Sequence, residues 1–264
     1  MPMYCDYHMH SHHSFDANHS ICAMAEAAAA AGMEEVCFTD HIDFEDPLWA
    51  DRPSDIAAQR REIEQERPTL PIPVLCGAEV GLAPDPAFGE KSWAYIKGAQ
   101  PDFIIGSIHV VEGQNAYLPE YFEGRTRAQA YYDYVSAIAT AVRSFPQLCV
   151  LGHYDFVAKR APFADRALLY SDAPDAFDSI FRYLAENGKG MEINTSAWLD
   201  APAWGLDVLS RYVELGGEFV TFGSDAHVPE RAGRRMKEAH ALAKAAGVRY
   251  TAAFRQLKPA FIRL

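Results

Sequence analysis

Tyr4-Cys5-Asp6-Tyr7-His8-Met9-His10-Ser11 is the stretch from which the rest of the chain can be read. Its apolar and aromatic residues predict a short β-strand over residues 4–8 that closes on the pair His8 and His10. Side chains two apart on a strand share a face, so both imidazoles can aim at one cation. Further runs predict strands over residues 36–39, 74–80, 103–109, 148–153, 190–194 and 219–224. Most of them end the same way. The second closes on Thr39-Asp40-His41, the third on Gly77-Ala78-Glu79, the fourth on Ser107-Ile108-His109 and the fifth on Leu151-Gly152-His153. Asp225-Ala226-His227, again two apart, follows the seventh, and Asp16 lies in the loop after the first.

Helical patterns fill the intervals, over residues 20–31, 54–66, 88–98, 128–145, 171–187, 206–215 and 230–246. Ser20 is placed to cap the first and Gly32 to end it. Phe177, Ile180, Phe181 and Leu184 fall at helical spacing in the fifth. Strands alternating with helices predict right-handed βαβ units and a parallel sheet in an α/β fold. Seven such units suggest a closed or nearly closed TIM-like barrel, whose strand ends converge on one face where such enzymes do chemistry. With no internal repeat or flexible linker, we expect one domain over residues 1–264. The loops 44–53 and 111–125 are the longest irregular stretches and are expected at the rim of a site.

The 264 residues are 49% hydrophobic, ample for a sizeable core, and carry a net charge of −12. No run of Lys or Arg offers a nucleic-acid backbone a binding stripe, so we expect no nucleic-acid partner. Acidity does not exclude a phosphorylated substrate, because bound cations reverse the local field. No apolar stretch reaches the roughly 20 residues of a membrane span. Polar, motif-like residues from Asp6 onward lead us to expect no signal peptide. Cys5, Cys22, Cys37, Cys76 and Cys149 are widely spaced, without a C-x-x-C pair, and read as reduced thiols of a cytoplasmic protein.

His8, His10, Asp16, His41, Glu79, His109, His153, Asp225 and His227 thus make nine candidate ligands. One ion takes roughly four to six, so nine imply more than one, with Glu79 or Asp225 bridging. Imidazole mixed with carboxylate suits zinc, iron or manganese. A lone histidine is usually a surface or hydrogen-bonding residue, but six of the ten histidines at strand ends are hard to read that way. His12, His13 and His19 could back the ligands, face a substrate or be solvated, and His240 lies within a helix with no assigned role.

In their order these residues resemble the PHP superfamily, named for its polymerase-associated and histidinol-phosphatase members. Its signature is H-x-H near the N-terminus, a lone His, a Glu, two further His and a final D-x-H, and every element is matched. Within the superfamily the chain is most similar to the stand-alone histidinol-phosphatases. The stretches that carry this are Asp6 to Ser11, Phe38 to His41, Gly106 to His109, Glu192-Ile193-Asn194-Thr195-Ser196 and Ser224 to His227. Two stretches depart from what the resemblance leads us to expect. Residues 110–117 are less aromatic, and Ala197-Trp198 replaces a Gly-containing turn.

The resemblance implies a distorted (β/α)7 barrel and two or three divalent ions. One ion would take His8, His10, Glu79 and Asp225, a second Glu79, His109 and His153, and a third Asp16, His41 and His227. It implies hydrolysis of a small phosphate monoester by a metal-bridging hydroxide, most simply L-histidinol phosphate, late in histidine biosynthesis. We assign catalytic roles to Glu79, Asp225 and His227. Arg160 suits a phosphate as a guanidinium fork, and Asn194 and Ser196 could donate hydrogen bonds to substrate. A rim carboxylate such as Glu112 would suit the ammonium of histidinol. Rival readings are a phosphoesterase for nucleotides, oligonucleotides or phosphotyrosine, a metal-dependent C–N hydrolase, and a non-catalytic metal-binding module.

Overall fold

The computed structural model describes residues 3–196 and 205–264; Ala197 and Trp198 lie outside them. Twelve strands are present among these residues: β1 (Cys5–Met9), β2 (Glu35–Phe38), β3 (His41–Ile42), β4 (Val74–Gly81), β5 (Phe103–Ser107), β6 (Val110–Val111), β7 (Gln114–Asn115), β8 (Val150–Leu151), β9 (Gly190–Asn194), β10 (Phe219–Gly223), β11 (Tyr250–Arg255) and β12 (Lys258–Arg263). Eight α-helices accompany them: α1 (Ile21–Ala30), α2 (Ile56–Glu66), α3 (Pro86–Ile96), α4 (Pro119–Phe122), α5 (Arg127–Ala141), α6 (Pro174–Glu186), α7 (Leu206–Glu214) and α8 (Met236–Ala245).

The helices form where the sequence supplies caps and an apolar face. Ser20 Oγ accepts from Ala23 N at the start of α1, and Thr126 and Gln129 make a reciprocal capping box on α5. In α6 the residues at helical spacing, Phe177, Ile180, Phe181 and Leu184, are the buried ones. All eight residues of β4 are buried, as expected of a central parallel strand.

The main sheet runs β1-β2-β4-β5-β8-β9-β10-β11-β12, with β3 beside β4. It is parallel except for the terminal pair β11–β12. Among the described residues no ladder pairs β1 with β10, but the two lie side by side, and Met9 at the end of β1 bridges in parallel to Ala226 just beyond β10. Two backbone hydrogen bonds make that junction, His10 N to Ala226 O at 2.9 Å and Asp225 N to His8 O at 2.8 Å. The buried Asp6 carboxylate reinforces it by accepting from Ser224 N, Ser224 Oγ and Gly233 N. The structure shows an α/β fold with a mainly parallel sheet whose first and tenth strands lie side by side at this junction.

Three expectations change. The strand predicted over 103–109 stops at Ser107, leaving His109 in the turn that follows. The helix predicted from 230 begins at Met236, because Gly233 and Arg235 take positive φ (68° and 59°) and break it. The hairpin β11–β12 was not expected. Its turn residues, Gln256 and Leu257, both adopt positive φ, and neither is the Gly, Asn or Asp that marks such turns in a sequence.

Most apolar side chains pack between the sheet and its helices. A second cluster gathers at the amino-terminal ends of the strands, around Tyr7, Cys37, Leu75, Phe103 and Phe219, and Phe254 of the hairpin completes it. The opposite, carboxyl-terminal ends are lined by charge.

Candidate metal centre

Glu79 is the hub of those carboxyl-terminal ends. It is fully buried near the end of β4, and five imidazoles surround its two oxygens. Oε2 faces His8 Nε2 at 3.1 Å, His41 Nδ1 at 3.3 Å and His10 Nε2 at 3.6 Å. Oε1 faces His153 Nε2 at 2.8 Å and His109 Nε2 at 3.3 Å, and accepts from Ser107 Oγ at 2.6 Å. Asp225 Oδ1 lies 3.4 Å from His10 Nε2 and 3.7 Å from His8 Nε2. Asp16 Oδ2 lies 2.9 Å from His227 Nε2 and 3.4 Å from His41 Nε2. All nine predicted ligands thus converge.

They fall into groups whose donor atoms lie within 4.8 Å of one another: His8 with Glu79 and His153, His8 with His10 and Asp225, and His10 with Asp16, His41 and His227. A fourth group adds a residue that sequence reasoning passed over, Asp43, between His41 and His109 at 3.1 Å from each. The signal was present, since His41-Ile42-Asp43 repeats the two-apart spacing, but Asp43 stands at the edge of what reads as a rim loop.

The donors fit cations. His10 is fully buried, and among the described residues neither of its ring nitrogens has a hydrogen-bond partner; His153 Nδ1 is likewise unpartnered there. Orphaned buried imidazole nitrogens beside carboxylates are costly unless a cation completes them. Burial, followed by the neighbouring charges of His227 and His41, pushes His10 down to about 3, so its ring stays neutral as a ligand must be. Burial works against an ionised Glu79, yet the surrounding imidazoles, His8 and His41 foremost, hold its carboxyl well below the usual range.

Behind the ligands stands Glu192, on β9. It accepts from His8 Nδ1 at 2.7 Å and from His153 N at 2.8 Å, which leaves His8 Nε2 turned to the centre. Gly223 makes room for this pair: a Cβ there would lie 2.1 Å from Glu192 Oε1 and 2.4 Å from His8 Cβ. Glu192 is half of a two-apart pair with Asn194, and without a partner in view no sequence feature marked it for this role.

The centre opens into a cavity of about 1000 Å³. Asp16, His41, Glu79, His109, His153, Asp225 and His227 are exposed to it, and Phe15, Trp49, Tyr117 and Phe156 form apolar walls. Five cations also border it, Lys159, Arg52, Arg160, Arg166 and Arg231, in a chain whose net charge is −12.

The predicted substrate residues part ways here. Ser196 lines the cavity and donates to Asp225 Oδ2 at 2.8 Å. Asn194 does not line it; its Oδ1 accepts from Ser196 N, and its Nδ2 donates to Glu192, so it ties down the loop. Arg160 is an exposed wall residue stacked over Tyr117 at 4.9 Å. The cation held against the centre is its neighbour Lys159, ion-paired with Asp225. Burial opposes the Lys159 charge, but Asp225 keeps it raised. Which of two adjacent cations turns inward depends on the 3-10 turn Phe156–Lys159, which carries no strong sequence signal. Glu112 points away from the cavity, exposed and 3.7 Å from Arg125.

Residues 6–196 match the family described as PHP domain. The chain belongs to the PHP family. A histidinol-phosphatase of Lactococcus lactis is 31% identical over 258 residues, covering 96% of this chain and 95% of that one. A Clostridium acetobutylicum protein named "Probable histidinol-phosphatase" is 26% identical over 247 residues, covering 92% and 93%. Among solved structures, L. lactis histidinol phosphate phosphatase complexed with zinc, L-histidinol and phosphate superposes with a TM-score of 0.87. It is 30% identical, and the match covers 97% of this PHP chain and 98% of that one.

Proposed function

We propose that the chain is a phosphoric monoester hydrolase that converts L-histidinol phosphate to L-histidinol and phosphate, a step of histidine biosynthesis. The observation that carries this is the convergence of nine nitrogen and oxygen donors on one floor, beneath a cavity walled by cations. The L. lactis relative, solved with zinc, L-histidinol and phosphate, supports the same substrate.

Two or three divalent ions, zinc, iron or manganese, would be held by three groups: His8, His10, Glu79 and Asp225; Glu79, His109 and His153; and Asp16, His41 and His227. Ions there supply Lewis-acid neutralisation of the ester and bring the ionisation of water near neutral pH. The chain's own groups do the rest. Glu79, shared by five imidazoles, sets the spacing of the groups. Asp225 and His227, on one turn, place a carboxylate and an imidazole against the scissile position. Lys159, Arg160 and Ser196 line the wall where phosphoryl oxygens would lie; Lys159, held against the centre, would offset charge that grows as the ester breaks, and the exposed Arg160 would chiefly help to hold the bound ester. Phe15, Trp49 and Tyr117 exclude water above the floor.

We read the sheet as a distorted (β/α)7 barrel completed by the junction of β1 and β10, and the chain as one domain. No helix among the described residues is long and apolar enough to cross a membrane. All five cysteines are free thiols, which suits a reducing cytoplasm. Cations clustered inside a cavity rather than along a groove suit a small phosphorylated metabolite over nucleic acid.

The test is phosphate release from L-histidinol phosphate by the metal-loaded protein, beside nucleotides, sugar phosphates and a phosphotyrosine peptide. Release that is greatest with L-histidinol phosphate and is stopped by a chelator is expected. Preference for another member would move the substrate, and failure on all of them despite bound metal would leave a binding module.

A further inference from the structure

One further set of donors lies outside the catalytic cavity. His12, His13 and Glu62 bring three ligand atoms within 4.8 Å of one another, and none of these residues lines the cavity. Both imidazoles address the same oxygen. Glu62 Oε2 stands 2.7 Å from His13 Nε2 and 3.2 Å from His12 Nε2, and the two rings lie 4.4 Å apart.

The frame that holds them is fixed on both sides. On the loop side, Ser11 N and Oγ both donate to Asp40, at 2.7 Å each. His13 N then donates to Ser11 Oγ, and His12 N to His19 O at 2.8 Å, closing the base of the loop. On the helix side, Gln59 Nε2 donates to the same Asp40 at 2.8 Å. Gln59 and Glu62 are three apart on α2 and so share its face toward the loop. Asp40 therefore anchors both the loop that carries the imidazoles and the helix that carries the carboxylate.

We infer that His12, His13 and Glu62 form a separate, peripheral site for one zinc-like divalent cation, bridging the loop after β1 to α2. Two imidazoles and a carboxylate, with a fourth position open to water, are a standard zinc donor set. A tetrahedral ion with bonds of about 2.0–2.1 Å needs donors roughly 3.3 Å apart, so only small side-chain shifts are required. His12 is the most exposed of the three, which gives the ion a path from solvent. The same loop carries Phe15 and Asp16, which face the cavity, so the ion would tether to α2 the segment that closes one side of the catalytic floor. The site stands on its own geometry, whatever the enzyme's substrate.

The test uses the full chain with its catalytic centre loaded with zinc, dialysed against buffered free zinc, with bound zinc counted per chain. The wild type is expected to hold one zinc more than Glu62→Gln and than the double variant His12→Asn, His13→Asn. A second readout is carbethoxylation of the wild type, mapped by peptide mass: added zinc should protect His12 and His13. This decides the matter even if a variant fails to fold. Equal zinc counts in wild type and folded variants, or labelling of His12 and His13 that zinc leaves unchanged, would overturn the site. Phosphatase activity enters neither readout, so a wrong substrate assignment would leave the result interpretable.

Discussion

His8 and Glu192 share a 2.7 Å hydrogen bond whose existence depends on the missing side chain of Gly223. The bond fixes the His8 tautomer, with Nδ1 protonated toward Glu192 and Nε2 facing Glu79. Replacing a carboxylate behind a metal-ligating histidine typically costs about 10–100-fold in metal affinity or activity. Glu192→Gln should therefore fold, bind its most weakly held ion about 10–100-fold less tightly, and recover activity when that metal is supplied in excess. Gly223→Ala should lose metal without such rescue, because its Cβ displaces both partners. Metal titration with residual activity separates the two.

Glu79→Gln tests the hub more severely. One oxygen becomes an amide that cannot bridge as a carboxylate does, while five imidazoles remain in place around it. Bound metal per chain should fall by at least one ion, and kcat/KM by at least about 100-fold. A variant with full metal content and wild-type turnover would refute the central role given to this residue.

Lys159 and Arg160 make opposite demands on a substitution. Removing a donor aimed at developing charge costs about 100-fold or more in kcat, whereas an exposed cation contributes little. Lys159→Met should lower kcat strongly, and Arg160→Met should chiefly raise KM by a few-fold. Steady-state kinetics on both variants at saturating metal distinguishes them, and equal effects would remove the distinction drawn here.

His240 supplies a pH prediction independent of the metals. It is buried, stacked on Phe222 at 3.9 Å and edge-on to Tyr4, and neither ring nitrogen has a hydrogen-bond partner among the described residues. Burial, helped by Lys244, lowers it to about 4 from an ordinary value of 6.5. The unfolded chain thus takes up this proton first as pH falls. Its contribution to stability is complete above about 6.5 and is lost as pH descends from 6.5 to 4, amounting to roughly 3 kcal/mol. Denaturant unfolding of the metal-free protein should lose stability over that window, and His240→Leu should lose correspondingly less.

Chelation should also act on the fold. Ions that bind only the folded chain add about 2.7 kcal/mol when present at 100 times Kd, or roughly 5–10 °C of thermal midpoint for a chain of this size. Calorimetry with and without chelator checks this, and an unchanged midpoint would mean that the ligands are held equally well without ions.

The centre was legible because its donors recur at one kind of place, the carboxyl end of a strand, and strand ends show in a sequence as apolar runs stopping at a polar residue. His8, His41, Glu79 and Asp225 all follow that rule. What was not legible depends on contacts between distant segments. Glu192 matters because β1 brings His8 against it. Asn194 reads as a substrate donor until its Nδ2 is seen to be taken by Glu192. Lys159 and Arg160 are indistinguishable until the backbone turns one inward. The turn at Gln256 and Leu257 is set by the pairing of β11 with β12, against the residues' own preference. The meeting of β1 and β10 depends on the Asp6 contacts, which no periodicity encodes.

That junction also fixes when the centre can exist. Asp6 and Ser224 are 218 positions apart in sequence, and the ligands His8 and His10 lie beside Asp225 only once that span has been closed. A growing chain shorter than about that length lacks Asp225 and His227, two of the nine donors, and with them the groups that close around His8 and His10. Closing so long a loop is entropically slow and costly, and a cross-link that spans it removes more disorder from the unfolded chain than any local contact can. An ion caught between His8, His10 and Asp225 is such a cross-link, made by coordination and reversible on chelation. The metal would then serve assembly as well as chemistry, fastening the first strand to the tenth across that long span.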